Sequence, residues 1–232
     1  AISASGGGLV NTRNPDNPFD IAQASKATIS NSTITNNTAG NQLGGGIANV
    51  GTLTVSNSII AGNAGNDDIT NQFTVTQSGI PFTFTGISNS GGNNLIGNGE
   101  GTSFVNGSNG DIVGNSANPI DAKLDTLKDN GGLTQTHALL SGSLAVNAGS
   151  NSNIAQDTFD IDGDGNTTEQ LPFEQRGVGF ERIIDNTVDI GAYEIVSIVE
   201  VNSLTNNGSY KANDTVEITV KFAKAVGVDN LK

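Results

Sequence analysis

Between Asp160 and Glu169 the chain reads DIDGDGNTTE, with carboxylates at alternate positions and glycine at the sixth. Calcium is a hard cation that binds through oxygen. This spacing turns Asp160, Asp162 and Asp164 toward one point, while Gly165 permits a sharp bend. The backbone carbonyl of Asn166, seventh in the run, would add a ligand. Glu169 would add a carboxylate two residues ahead of the twelfth position, which Leu171 occupies, and Glu174 is a later alternative. Flanking helices are absent from the sequence pattern. The reading is therefore a calcium-loop-like turn with Asp160, Asp162, Asp164, Asn166 and Glu169 as ligands. Its affinity for Ca2+ belongs in the extracellular range of about 10⁻⁴–10⁻³ M. An acidic Asp-Gly turn on the surface is the alternative that such spacing also produces.

Other reactive types are sparse. Asp67 and Asp68 are a paired acid in AGNAGNDDI and read as a solvated turn. His137 is the only histidine and has no Ser or Cys partner at a recognisable spacing, so it reads as hydrogen-bonded packing rather than part of a triad. Arg176, in FEQRG, is expected to form a structural ion pair with Asp189 or Glu194. The glycine triplets have no following Lys-Ser/Thr and are not phosphate loops.

The elements that hold these residues follow from composition and repeats. Hydrophobic residues are 34% and aromatics 5% of 232 residues, which suits a thin aliphatic column better than a thick core. The net charge of −13 argues against nucleic acid and anionic membranes as partners and suits divalent cations. The absence of cysteine excludes disulfides and thiolate metal sites. No apolar run approaches the ~20 residues of a membrane span, and no signal peptide is visible. Both ends read as cut from a longer polypeptide.

ATISNSTITNNTAGN from Ala27 aligns with LTVSNSIIAGNAGN from Leu53 at an offset of 26 residues, which superposes Ile29 on Val55, Asn31 on Asn57, Ser32 on Ser58, Ile34 on Ile60 and Asn37 on Asn63. GGGLVN (Gly6 to Asn11) recurs as GGGIAN (Gly44 to Asn49), and SGGNNLIGN (Ser90 to Asn98) is a weaker third copy. A fixed period with short β-branched cores and Gly/Asn corners predicts a β-solenoid. Stacked coils lie ~4.8 Å apart. Ile29 and Val55 would then share an inward column, and Asn37, Asn63 and Asn98 an amide ladder at a corner. Two loops interrupt the coils, at Thr12 to Lys26 and from Asp67 to Gly86. The second contains FTVTQSGIPFTFTG, which reads as strands added at the side.

GGGIAN followed by I-x-x-N resembles the GGA-I and F-x-x-N repeats of bacterial polymorphic outer-membrane-type β-helices, with Ile where that family often has Phe. Further on, GGLTQTHALLSGSLAVNAG, FEQRG and VDIGAYE resemble, in order, the terminal region of bacterial surface proteins of the choice-of-anchor Q type. That match covers roughly Asn94 to Glu194. Ser141 and Leu144 stand where proline is common, and Asn147 where the family has Asp. The resemblance implies an exported or cell-surface bacterial protein without assigned catalysis. From Val196 the texture is similar to the opening of bacterial Ig-like repeats, with Tyr210 and Asp214 ahead of an alternation at Val216, Ile218, Val220 and Phe222.

The expected fold is all-β: a right-handed parallel β-helix over residues 1–119, a capping region over 120–195 and an incomplete Ig-like repeat over 196–232. Asp121 is expected to cap a short helix, AKLDTLKDN, which with TQTHAL covers the last coil. The expected function is a non-catalytic structural or adhesive surface module stabilised by calcium, with cell-surface glycans or other surface proteins as partners. A polysaccharide lyase or hydrolase with its site on coils outside this chain is the alternative, because the repeated cores carry no Arg or Lys base and no acids on successive coils. A glycan-binding module would need a row of exposed aromatics, for which Phe73, Phe82 and Phe84 are the candidates.

Overall fold

The structure, a computed structural model, describes residues 8–11, 25–39, 44–65, 67–196, 198–203, 205 and 208–222. Most of the Thr12 to Lys26 loop, the start of the first glycine triplet and the end of the Ig-like segment lie outside these residues.

The chain makes successive passes. The first contributes β1 (Leu9–Asn11), β2 (Lys26–Ser30) and β3 (Thr33–Ile34), and the second β4 (Ile47–Asn49), β5 (Thr52–Ser56) and β6 (Ile59–Ile60). The third begins with β7 (Ile69–Thr70). It then detours through a hairpin of β8 (Gln72–Gln77) and β9 (Ile80–Thr85) before β10 (Ile87–Gly92) and β11 (Leu95–Ile96). A fourth adds β12 (Ile112–Val113). Three parallel sheets result, ordered β1-β4-β7, β10-β5-β2 and β12-β11-β6-β3. This all-β arrangement is compatible with a β-helix-like solenoid.

The 26-residue offset is realised as register: Ile29 pairs with Val55 and Ile34 with Ile60. In β5, Leu53 and Val55 are buried while Thr52, Thr54 and Ser56 are half-buried, as alternation on a one-sided sheet requires. Ile47, Leu53, Val55, Ile60, Ile69 and Ile96 form the inner column. The FTVTQSGIPFTFTG segment is an antiparallel hairpin, with Ser78 and Gly79 both at positive φ in its two-residue turn.

Each corner between sheets is closed by a polar ladder. At the first, Asn11 Nδ2 donates to Asn49 Oδ1 (2.8 Å), Asn49 Nδ2 to Asn71 Oδ1 (2.9 Å) and Asn71 Nδ2 to Ser88 Oγ (2.8 Å). At the second, the backbone N–H of Ser32 donates to Ser58 Oγ, that of Ser58 to Asn94 Oδ1, and that of Asn94 to Asp111 Oδ1. At the third, Asn37 donates to Asn63 Oδ1 from both its backbone N–H and Nδ2, and Asn63 does the same to Asp68 Oδ1. The backbone N–H of Asn98 then donates to Asp68 Oδ2 (2.7 Å). The ladder expected to run Asn37–Asn63–Asn98 thus has Asp68 inserted as a rung. Asp68 is 4% exposed and is not the solvated turn its sequence suggested. An acid suits this position because its two oxygens accept from neighbours on both sides.

Residues 120–195 do not run as a helix followed by a cap over the last coil. Asp121 Oδ1 accepts the N–H of Lys123, only two residues on, and Lys123 has φ +49, a left-handed conformation that stops a helix at its first turn. Leu124 and Lys128 instead make antiparallel bridges to Leu139 and Thr136. The segment lies along the outer face of the third sheet. Ala122, Leu139, Ala145 and Ile190 cover Ile59, Ala61 and Leu95, so both faces of β6 and β11 are buried. Polar clasps reach each of the first three passes. Ala192 N–H donates to Thr33 Oγ1, Asn57 exchanges two side-chain hydrogen bonds with the backbone of Ser150, and Asn93 Nδ2 donates to the Ala148 carbonyl. β13 (Ile198–Ser203) and β14 (Ile218–Phe222) follow as an antiparallel ribbon.

Candidate functional site

The acidic run lies on a closed loop. Leu171 N–H donates to the Ala155 carbonyl and Asp157 N–H to the Glu169 carbonyl, which brings the two strands of the loop together at its base. Asp160, Gly163 and Gly165 all have positive φ, and these three residues curl the tip. Asp160 Oδ1 accepts from Gly165 N–H (3.0 Å), Asp162 Oδ1 from Asp164 N–H (3.3 Å) and Asp164 Oδ1 from Asn166 N–H (2.7 Å).

Two carboxylate triads share Asp162: Asp160, Asp162 and Asp164, and Asp157, Asp162 and Glu169, each with oxygens within 4.8 Å of one another. Four of the five sequence-nominated ligands offer carboxylates to this cluster. The fifth, Asn166, uses its side chain structurally: Nδ2 donates to Glu169 Oε2 (2.9 Å) and Oδ1 accepts from Thr168. Glu169 Oε1 is buried and accepts no hydrogen bond. Loss of water, then the charges of Asp164 and Asp162, raise the Glu169 carboxyl above its ordinary range. A cation at Asp162 would relieve that repulsion, and an all-oxygen donor set of this kind suits calcium.

Sequence reasoning missed Asp157. It is fully buried, and its carboxylate accepts from the N–H groups of Phe159 and Ile161 (3.3 and 2.7 Å). Its signal was there as an acid three residues before the alternating run. Glu174, the later alternative, faces away from the loop. Its Oε1 accepts from Arg176 Nε (2.7 Å) and its Oε2 from Glu194 N–H.

That contact corrects the expected pairing of Arg176. Its guanidinium pairs with Glu174, not with the carboxylates of Asp189 or Glu194, and is stacked between Phe180 and Tyr193 at 4.1 and 3.8 Å from the ring centres. The partner of Glu194 is Arg182 (2.8 Å), which also donates to the Gly191 carbonyl. Sequence gave no means of choosing between two arginines six residues apart. Asp189 completes the cluster by accepting from Asn147 and Ile195 N–H groups.

A cleft of about 620 Å³ opens between the third corner and residues 116–124, lined in part by Asp67, Asp68, Asn98 and Lys123. Both oxygens of Asp68 are occupied by the ladder and Asp67 Oδ1 accepts from Asn98 Nδ2, so the paired acids serve the corner. His137 lies outside it. Its Nδ1 is 2.7 Å from the Asp125 carbonyl, and because a carbonyl only accepts, Nδ1 carries the proton.

Burial raises the carboxyls of Asp67, Asp68 and Asp189, and pushes Glu194 up to about 9 against the opposing pull of Arg182. Raised folded-state values mean that the folded chain holds protons which the unfolded chain releases. Their contribution to stability is full below the ordinary carboxylate range and is lost as pH climbs toward 9. In chelator, the melting temperature is expected to be highest in mild acid and to fall steadily toward alkaline pH. A flat or rising profile measured by circular dichroism would contradict this.

No protein-family model matches the chain, and neither a curated protein nor a solved structure matches it.

Proposed function

We propose that the chain is a non-catalytic structural or adhesive module of a secreted or cell-surface bacterial protein. In this reading the three sheets are the coils of a right-handed parallel β-helix, residues 120–195 are an anchor-Q-like flank, and residues from 196 open an Ig-like repeat. The observation that carries it is the corner ladders: the polar side chains at the corners bond to the next pass, which serves rigidity rather than turnover. The occupied oxygens of Asp68 speak for the same role.

The acidic loop is read as a calcium site that stiffens the flank. Asp162 is its shared ligand, Asp160, Asp164, Asp157 and Glu169 surround it, and Asn166 buttresses Glu169. With calcium at 10 to 100 times a submillimolar dissociation constant, binding adds about 1.4–2.7 kcal/mol to the folded state. That corresponds to a rise in melting temperature of roughly 3–10 °C for a chain of this size. Asp162→Asn, which touches both triads, is expected to abolish the rise while leaving the melt in chelator nearly unchanged. Equal melting temperatures in calcium and in chelator would remove the metal from the reading. Release of reducing or unsaturated ends from polysaccharides by the purified chain would remove the non-catalytic assignment.

A further inference from the structure

The outward face of the β10-β5-β2 sheet, like the strands of the other two parallel sheets, is free of acids in an otherwise acidic molecule. Register aligns Thr28, Thr54 and Asn89 in one row across the three strands, and Ser30 with Ser56 in the next. Thr52 begins the preceding row, between Lys26 and Ile87. Not one of these positions is acidic, although the chain carries 23 Asp and Glu. Lys26, at the margin, is the face's only charge. The hydroxyls of Thr28, Ser30, Thr52, Thr54 and Ser56 make no side-chain hydrogen bond within the described residues, in contrast to the corner side chains, which are bonded pass to pass. The face is therefore a mesh of unspent hydroxyls, repeating at ~4.8 Å across strands and roughly 6.6 Å along them.

We infer that this face binds a neutral polysaccharide, laid across the passes so that successive sugar hydroxyls meet successive strands. The inference rests on the reading of the chain as a non-catalytic surface module and supplies its ligand class. An uncharged, hydroxyl-bearing polymer is the chemistry such a mesh matches, since each Thr or Ser both donates and accepts. An anionic polymer would find one cation on the face and a strongly negative molecule behind it. A second copy of the chain is disfavoured by size, because three short strands fall far below the ~800 Å² per partner of a stable interface. The hairpin bearing Phe73, Phe82 and Phe84, half-buried on one side of the ribbon, leaves the corner where this face begins. Its base is closed by Gly86 N–H donating to the Asn71 carbonyl.

The test is affinity electrophoresis of the whole chain through gels containing xyloglucan, mixed-linkage β-glucan or polygalacturonate, with a cellulose pull-down beside it. Retardation by at least one neutral polymer and none by polygalacturonate is expected. Thr28→Glu/Thr54→Glu, both on the outward face, is expected to weaken binding about tenfold or more by placing charges against uncharged hydroxyls. Thr83→Glu, on the hydroxyl side of the hairpin, is expected to bind as the parent does. Circular dichroism and melting confirm that each variant is folded. Free mobility in all neutral gels and no cellulose pull-down would overturn the inference, as would binding indifferent to the double substitution. Ice shaping without polysaccharide binding would also overturn it and assign the mesh to ordered water. These outcomes leave the non-catalytic reading standing, which fails separately if polymer ends are released.

Discussion

Asp68→Ala is expected to lower the free energy of unfolding by about 3–5 kcal/mol. The carboxylate accepts from Asn63 N–H (2.9 Å), Asn63 Nδ2 (2.8 Å) and Asn98 N–H (2.7 Å), and it is buried among them. Alanine leaves three donors without their acceptor at the wall of the cleft, and donors stranded in this way cost more than the bonds themselves contributed. Asp68→Asn gives a diagnostic intermediate. Its single oxygen keeps the Asn63 side satisfied, while its amide nitrogen opposes Asn98 N–H donor to donor, so a loss of roughly half is expected. Urea unfolding followed by circular dichroism reads both values. Equal stability of the alanine variant and the parent would mean that the corner holds without its central acceptor.

The second large effect belongs to Arg182. Its guanidinium is buried, pairs with Glu194 and bonds the Gly191 carbonyl, so it fastens the last turn of the flank. Arg182→Met preserves bulk but strands Glu194, with an expected loss of about 3–5 kcal/mol at pH well above 9, where the parent carboxyl is ionised and paired. Near pH 5 the carboxyl is protonated in parent and variant alike, and the loss is expected to shrink to about half. Adding Glu194→Gln removes the charge itself and is expected to recover most of the alkaline loss, which denaturant titrations at both pH values would show. A deficit independent of pH would assign the effect of Arg182 to packing alone.

Much of the coil was legible because its signal is local and repeated. Ile29, Val55, Ile34 and Ile60 recur in one phase, and strand register follows directly from that phase. The FTVTQSGIPFTFTG stretch read as side strands, and it pairs as a hairpin around Ser78-Gly79. The flank was less legible. AKLDTLKDN carries helix formers and a capping acid, yet Leu124 and Leu139 gain more by pairing against a sheet that already exists, and tertiary burial outweighs local propensity. In the metal loop, alternation revealed Asp160, Asp162 and Asp164. Asp157 was hidden because its closeness to Glu169 comes from pairing across the loop base, which no spacing rule encodes. Asp68 was misread for a related reason: an acid beside Asn and Gly looks like a wet turn until stacking places amides on both sides of it.

A stack of passes bonded only to its neighbours would fray from either end, as linear repeat arrays do. Here Thr33 in the first pass is joined to Ala192, and Asn57 in the second to Ser150, across separations of 159 and 93 residues. Loss of the first pass must therefore also release the far end of the flank, which converts a ladder of independent steps into one concerted transition. The same long-range ties delay its formation, because such contacts close large loops before they return any energy. During synthesis the early passes emerge with Ile59 and Leu95 exposed, and they wait in that state until the ribosome has delivered Ile190 and its neighbours.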